Sequence, residues 1–399
     1  MPTYRLVAAI ACGALGGALA CLACSSFGND TETTSNAEAG ADGASSGSPD
    51  GATSSGGSSG AQADGLYLTC PPTSTRSTFQ NLSRQLVVSG AGDDYPFAIV
   101  TDATSIYWVS QLATTGAQKT DAYNGHLKAR IHRAPKGQVT SDGASTVIVE
   151  GENEGVIALA LDGDHVYWAA PKSTGSTTLS IRRVARTCAK PCSVESIAEI
   201  TSPQPIVFMR RAKPGLIFAL GGDGKVFAIE PATKSAGQIS AGAGDLPNFA
   251  VAEDHAFVAG AFNSKVLRVA KDSSKDHASF APTDSNEKGC GAMATDCARI
   301  YAWRKLDSNL WAADATSASS FSKLADLGQT GVYDVFADKD YVYVGSLNGG
   351  GITVIDHATG AVVRKYPGSY FRLWADDTGL YGGEHDTGGP PGAIYRFSD

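Results

Sequence analysis

The stretch ALDGDHVYWAA, Ala160 to Ala170, passes from an apolar run through a tight acidic turn into two adjacent aromatics. Two carboxylates, a histidine and an aromatic pair within it invite a catalytic or metal-binding reading. The rest of the chain shows it to be one copy of a repeat. Aligned on the turn, seven segments match: FAIVTDATSIYWVS (97–110), IALALDGDHVYWAA (157–170), IVFMRRAKPGLIFAL (206–220), NFAVAEDHAFVAG (248–260), GAMATDCARIYAW (291–303), YDVFADKDYVYVGS (333–346) and FRLWADDTGLYGG (371–383). The third and fourth copies are degenerate but keep the apolar run, the turn and an aromatic.

Each copy reads as a buried strand, a short turn and a second, alternating strand. A third strand follows in every copy, from ARIHRAP in the first to AIYRFS in the last. A weaker fourth comes after it, as in STVIVE (145–150), SIAEI (196–200) and AVVRKY (361–366). Four antiparallel strands recurring every 40 to 60 residues or so form the blade of a β-propeller. The sequence therefore predicts an all-β fold of seven four-stranded blades, with six or eight as the alternatives. The last copy has three strands before the chain stops, and an unassigned strand, RQLVVSG (84–90), precedes the first copy. The N-terminal strand is expected to complete the last blade, which removes the open edge of that sheet.

Composition agrees with this class. Of 399 residues, 46 are Gly and 17 Pro, 42% are hydrophobic and 18% charged. That is a turn-rich β composition, and no amphipathic helix stands out. The net charge of −8 is unevenly spread. Residues 25–65 carry Asp30, Glu32, Glu38, Asp42, Asp50 and Asp64 with no Lys or Arg, and Arg5 precedes them; removing both leaves −8 − 1 + 6 = −3 for residues 66–399. No concentrated basic face is visible, so nucleic acid is not an expected partner. The one basic knot, MRRAKPG (209–215), reads as a solvated turn.

The N-terminus has Arg5 followed by an uncharged apolar stretch from Leu6 to Ala23, the pattern of an export signal. It resembles bacterial lipoprotein signal peptides, in which a small residue and then an acylated Cys close the apolar core. CLAC offers Leu22, Ala23 and Cys24; ALAC offers Leu19, Ala20 and Cys21. Cys24 is favoured because Ser25 and Ser26 open the polar segment directly after it, with Cys21 as the alternative and an ordinary cleaved signal as the other reading. The resemblance implies a signal over 1–23, a lipid anchor at the outer membrane on either face, and a membrane partner through acyl chains, each buried methylene adding about 0.8 kcal/mol. Residues 24–65 are rich in Gly, Ala, Ser and Thr and nearly devoid of buriable side chains. They read as an acidic tether with a reach of about 35 Å. Residues 66–399 form the expected propeller domain.

The repeats also resemble YWTD-like extracellular propellers and propeller lipoproteins that carry D-x-x-x-[IV]-Y-W, which stands here at Asp102 to Trp108 and Asp162 to Trp168. That likeness implies the fold and no particular activity.

The recurring residues favour structural roles. Tyr107, Trp108, Tyr167, Trp168, Tyr301, Tyr343 and Tyr381 occupy one region of the second strand, as expected for packing between blades. The turn carboxylates Asp102, Asp162, Asp296, Asp338 and Asp376 are expected to accept backbone N–H bonds. Asp162 with Asp164, and Asp338 with Asp340, match only the start of a calcium loop, so no metal or cofactor is expected. The seven histidines, 126, 132, 165, 255, 277, 357 and 385, show no metal-ligand or catalytic spacing. Cys188 and Cys192 in TCAKPC are expected to bridge locally in an oxidising compartment. Cys290 and Cys297 sit at opposite ends of one strand, about 23 Å apart if extended, too far for a direct bridge; Cys70 could reach either.

Function is sought where blades differ. Three loops joining second and third strands are long: 110–128, 171–178 and 382–392, in blades one, two and seven. They define a ligand-binding sector holding Tyr123, His126, Lys128, Glu384, His385 and Asp386, or they are plain surface insertions. A non-catalytic, monomeric binding or scaffold module for a protein or glycan is the favoured reading. The alternative is a lyase or lactonase-type enzyme with a metal-assisted site at the channel mouth.

Overall fold

The computed structural model describes residues 83–398 apart from 90–97, 112–127, 139, 142–144, 153–155, 174, 241–247, 260–265, 273–277, 281–289, 305–307, 318–319, 330, 348, 377 and 385–392. The chain divides into residues 1–63 and a compact unit, residues 64–399, that contains all of the described residues. Their regular structure is entirely β.

Seven sheets form; six are four-stranded and antiparallel, and the seventh takes its fourth strand from the N-terminal side. Blade 1 runs Ala98–Thr101, Ser105–Gln111, Ala129–Pro135 and Thr146–Glu152, and blade 2 runs Ala160–Asp162, His165–Pro171, Thr178–Ala185 and Glu195–Thr201. Blades 3 to 6 span 206–240, 248–280, 290–326 and 332–366. Blade 7 has three strands between Tyr370 and Ser398, and the N-terminal strand Ser83–Ser89 supplies the fourth. Arg84 lies opposite Phe397 and Leu86 opposite Tyr395 in that antiparallel pair. A short strand, Thr140–Ser141, then adds to its outer side in parallel. The expected seven-bladed ring closed by the N-terminal strand is therefore the observed fold.

First strands of successive blades neighbour one another around the whole circle, blade 7 meeting blade 1, and so line the central axis. The period-2 alternation of the second strand decides what fills the spaces between blades. Tyr107 and Trp168 share a cluster between blades 1 and 2, while Tyr167 faces blade 3. Phe218, Phe257, Tyr301, Tyr343 and Tyr381 occupy the same register, each facing the following blade. Seven apolar clusters thus fill seven blade interfaces. The closing one joins Val87, Val88, Tyr381 and Ile394 to Ile99, Ile106 and Trp108. Burial of each such large side chain stabilises by about 1.5–3 kcal/mol as an upper bound.

The turn in ALDGDHVYWAA has two residues, Gly163 and Asp164, between the paired Asp162 and His165. Gly163 takes φ 52°, which a residue without Cβ adopts at no steric cost. Blade 4 uses the same two-residue turn with Glu253 at φ 49°, a strained choice for a side chain of that kind.

Candidate functional site

The turn carboxylates hold more than their own turns. In blade 1, Asp102 Oδ1 accepts from the Thr104 and Ser105 amides at 2.9 and 2.8 Å, and Oδ2 accepts from the Tyr107 hydroxyl at 2.8 Å. Asp296 repeats this with Ala298, Arg299 and Tyr301, and Asp338 with Asp340, Tyr341 and Tyr343, both tyrosine bonds being 2.6 Å. In blade 7, Thr378 Oγ1 stands between Asp376 and the Tyr381 hydroxyl. Each Tyr lies five residues after its Asp. Where the Asp is missing, as at Lys213 and Ala252, the aromatic five residues later is Phe218 or Phe257. At this position the hydroxyl is absent where the carboxylate that would accept from it is absent.

The same carboxylates reach the next blade. Arg186, one residue past the third strand of blade 2, pairs with Asp102 of blade 1 at 2.9 Å. Lys136, at the matching place in blade 1, pairs with Asp376 of blade 7 at 2.5 Å, both side chains buried. His357 of blade 6 contacts Asp296 of blade 5 at 3.2 Å. Blade 3 has Pro231 at that place, and Asp162 instead forms an ion pair with Arg211, Nε at 2.9 Å, and accepts from the Gly215 amide. Burial alone would raise the Asp102 pKa. Bonds from the Thr104 amide, the Tyr107 hydroxyl and the Ser105 amide, with the Arg186 charge, hold it below the usual carboxylate value. The Tyr107 and Tyr301 hydroxyls are pushed up, first by burial and then by the neighbouring carboxylate. These groups are locked in structure rather than poised for proton transfer. The recurring Lys, Arg or His after the third strand was the missed signal; it is visible as Lys136, Arg186, Lys271 and His357.

The basic knot around Arg210 is not a solvated turn. Arg210 and Arg211 lie in the inner strand Ile206–Lys213; Arg211 is buried against Asp162, and only Lys213 of the three faces solvent. The strand carries them to the axis, where solvent cannot reach all of the guanidinium surface. Arg210 crosses the channel to Asp334 of blade 6 at 3.7 Å, passing blades 4 and 5. Asp334 also accepts from the Val335 and Leu373 amides at 3.0 and 2.9 Å. Arg372 of blade 7 lies over the Phe208 ring of blade 3 at 4.8 Å, and Arg210 lies 5.9 Å from the same ring. Side chains of three blades therefore meet in the lumen. Desolvation lowers the pKa of both arginines while Asp334 opposes it, and an arginine so lowered still carries its charge at neutral pH.

Of the six residues in the sequence-based sector, Tyr123, His126, His385 and Asp386 lie outside the described residues. Lys128 is exposed. Glu384 pairs with Arg84 of the closing strand at 2.7 Å, and Arg84 also stacks over Tyr395 at 3.7 Å. It serves the ring closure as much as the loop rim. Cys188 and Cys192 form a disulfide with Cα atoms 5.5 Å apart. Arg133 of blade 1 donates to the Arg186 and Cys188 carbonyls, fixing that loop to the neighbouring blade. Cys297, in the turn after the intact strand Cys290–Thr295, is also disulfide-bonded, to a cysteine whose side chain lies outside those described. No group of three or more His, Cys, Asp or Glu that could hold a metal occurs among the described residues.

One histidine is deeply buried. His132 of blade 1, 1% exposed, lies between Ser110 Oγ on Nε2 at 2.7 Å and Ser145 Oγ on Nδ1 at 2.8 Å, stacked on Trp108 with ring centroids 5.0 Å apart. Burial, then the charges of Arg130 and Lys190, push its pKa down to about 4. Ser110 is itself 1% exposed, so this Ser–His contact is closed to substrate.

Among solved structures the chain is similar to the RRP9 WD40 repeats, with a TM-score of 0.58 at 11% identity over 80% of this chain and 99% of that one. It is similar to U3-55K (0.57, 11%, 79% and 98%) and to the WD40 β-propeller domain of Doa1 (0.56, 12%, 78% and 97%). At these identities the likeness shows the propeller fold alone. No family model and no curated protein sequence matches the chain.

Proposed function

We propose that the chain is a cell-envelope binding or scaffold module: a propeller tethered by residues 24–65 to a lipid anchor at Cys24 that presents its loop rim to a protein partner. The plugged channel is the observation that carries this reading. Arg210, Arg372, Asp334 and Phe208 occupy the lumen, and apolar clusters seal the seven blade interfaces. What varies between blades is then the rim, above all 110–128 and 382–392, whose flanking strands belong to neighbouring blades 1 and 7. Rigid elements that present variable loops are a common basis of recognition, and the solved WD40 propellers share this disc. A cationic lumen is a poor place for a divalent cation, which argues against the metal-assisted reading at that depth.

A photo-crosslinking side chain placed at Tyr123 or His126 of the full-length protein in intact cells should trap one recurrent protein. The same group at Arg364, on blade 6, serves as the control and should trap none or a random set. Equal, unselective products from both positions would defeat the reading. Acyl labelling of the chain, lost in C24A and retained in C21A, tests the anchor separately.

A further inference from the structure

Arg210 is a cation with a nearly dry address and few partners. Its side chain is 12% exposed, its nearest carboxylate oxygen is 3.7 Å away, and that carboxylate already accepts two backbone amides. Among the described residues Arg210 makes no hydrogen bond within ordinary reach, although a guanidinium offers five donors.

The space around it is specific. Two small cavities, each about 10 Å3, adjoin Arg210. One is bounded by Thr101, Leu161, Met209 and Trp374, the other by Val251, Thr295 and Phe336. Each has room for about one water-sized particle. Among the described residues no carboxylate borders either cavity. A second guanidinium, Arg372, stands over Phe208 in the same lumen, and Arg211, paired with Asp162, borders the first cavity.

We propose that the central channel is a binding site for one small monovalent anion, held by Arg210 on the side away from Asp334, with halide as the best-fitting class. The anion supplies an acceptor to a guanidinium that makes no hydrogen bond among the described residues. The cavity size sets the selectivity. A single-atom ion is nearest that size, whereas sulfate and phosphate, with five heavy atoms, are far larger. The site is distinct from the loop rim and its failure would leave the rim reading untouched.

The test uses the full-length protein in two arms. Crystals soaked in sodium bromide are measured at the bromine edge, and an anomalous peak in contact with the Arg210 guanidinium is expected. Thermal unfolding is followed at fixed ionic strength while sodium gluconate is replaced by sodium chloride, and again by sodium sulfate. A Tm rise with chloride that grows as the logarithm of its concentration and reaches about 3 °C at tens of times half-saturation, absent with sulfate, is expected. Arg210→Gln should abolish the chloride-specific rise, and Arg210→Lys should weaken it. The proposal is overturned if ordered water alone appears beside Arg210, if sulfate matches chloride, or if Arg210→Gln keeps the full chloride response. Should Arg210→Gln fail to fold, the bromide map of the unaltered protein decides.

Discussion

Protonating His132 should destabilise the propeller, and the size of the effect follows from its surroundings. A neutral imidazole has one N–H donor and one acceptor, and serine hydroxyls can rotate to serve either, so Ser110 and Ser145 satisfy both ring nitrogens. The two serines could equally accept from a charged ring. What opposes the charge is loss of solvent, reinforced by Arg130 and Lys190, and this takes the pKa from 6.5 to about 4. The unfolded chain therefore binds a proton that the folded chain refuses between those values. Stability from this group is complete above about pH 6.5, falls as pH drops, and levels off below about pH 4. At about 1.4 kcal/mol per pH unit the loss is about 2 kcal/mol at pH 5 and about 3 kcal/mol at pH 4. Urea unfolding of the wild type and of His132→Asn between pH 7.5 and 4.5 isolates it, because the carboxylates titrate alike in both. The wild type should lose about 2 kcal/mol more than the variant by pH 5. Equal losses, or a His132 ring signal in NMR that titrates near 6.5, would refute the argument.

Three further outcomes are expected in denaturant melts. Tyr301→Phe and Asp296→Ala should each destabilise, by about 1–3 kcal/mol, and show a favourable coupling near 1 kcal/mol in a double-mutant cycle; additive losses would deny that the 2.6 Å bond matters. Lys136→Met should cost about 3–5 kcal/mol by stranding the buried Asp376 carboxylate, and Lys136→Met with Asp376→Leu should recover much of it; a double variant worse than the single would count against the pair as the cause. Arg84→Ala should lower stability by about 1–2 kcal/mol through Glu384 and Tyr395 together, more than Glu384→Ala does, and equal effects would mean that the stacking contributes nothing.

Much of the fold was legible because a propeller repeats its instructions. The third strand ARIHRAP is the observed Ala129–Pro135, and the isolated RQLVVSG falls within a residue of the closing strand. Local patterning sufficed there, since alternation and turn chemistry act over a few residues. The Asp and Tyr of each repeat were also readable as turn and packing residues. Their bond to each other was encoded in the five-residue spacing and in the paired change to Phe218 and Phe257, which the alignment contained but did not explain.

Of the candidate loop sector, the structure fixes Lys128 at an exposed position and ties Glu384 to the closing strand; the other four residues fall outside what it describes. The channel was illegible for a different reason. Arg210, Asp334 and Arg372 are separated by 124 and 38 residues and belong to degenerate or unremarkable copies of the repeat. MRRAKPG has the composition of a surface turn, and although the repeat register makes its first half the first strand of its blade, no local rule tells what its arginines meet across the ring.

The sequence by itself determined the blade: which residues alternate, where each turn falls, how many times the unit recurs, and that an extra strand waits at the N-terminal side. These depend on neighbours along the chain. Closing the ring decided the rest. It brought Lys136 to Asp376 and Arg84 to Glu384, and turned seven inner strands toward one axis. There Arg210, Asp334 and Arg372, charges of three separate repeats, come together, which is why ALDGDHVYWAA proved to be scaffold while MRRAKPG supplied a cation of the channel.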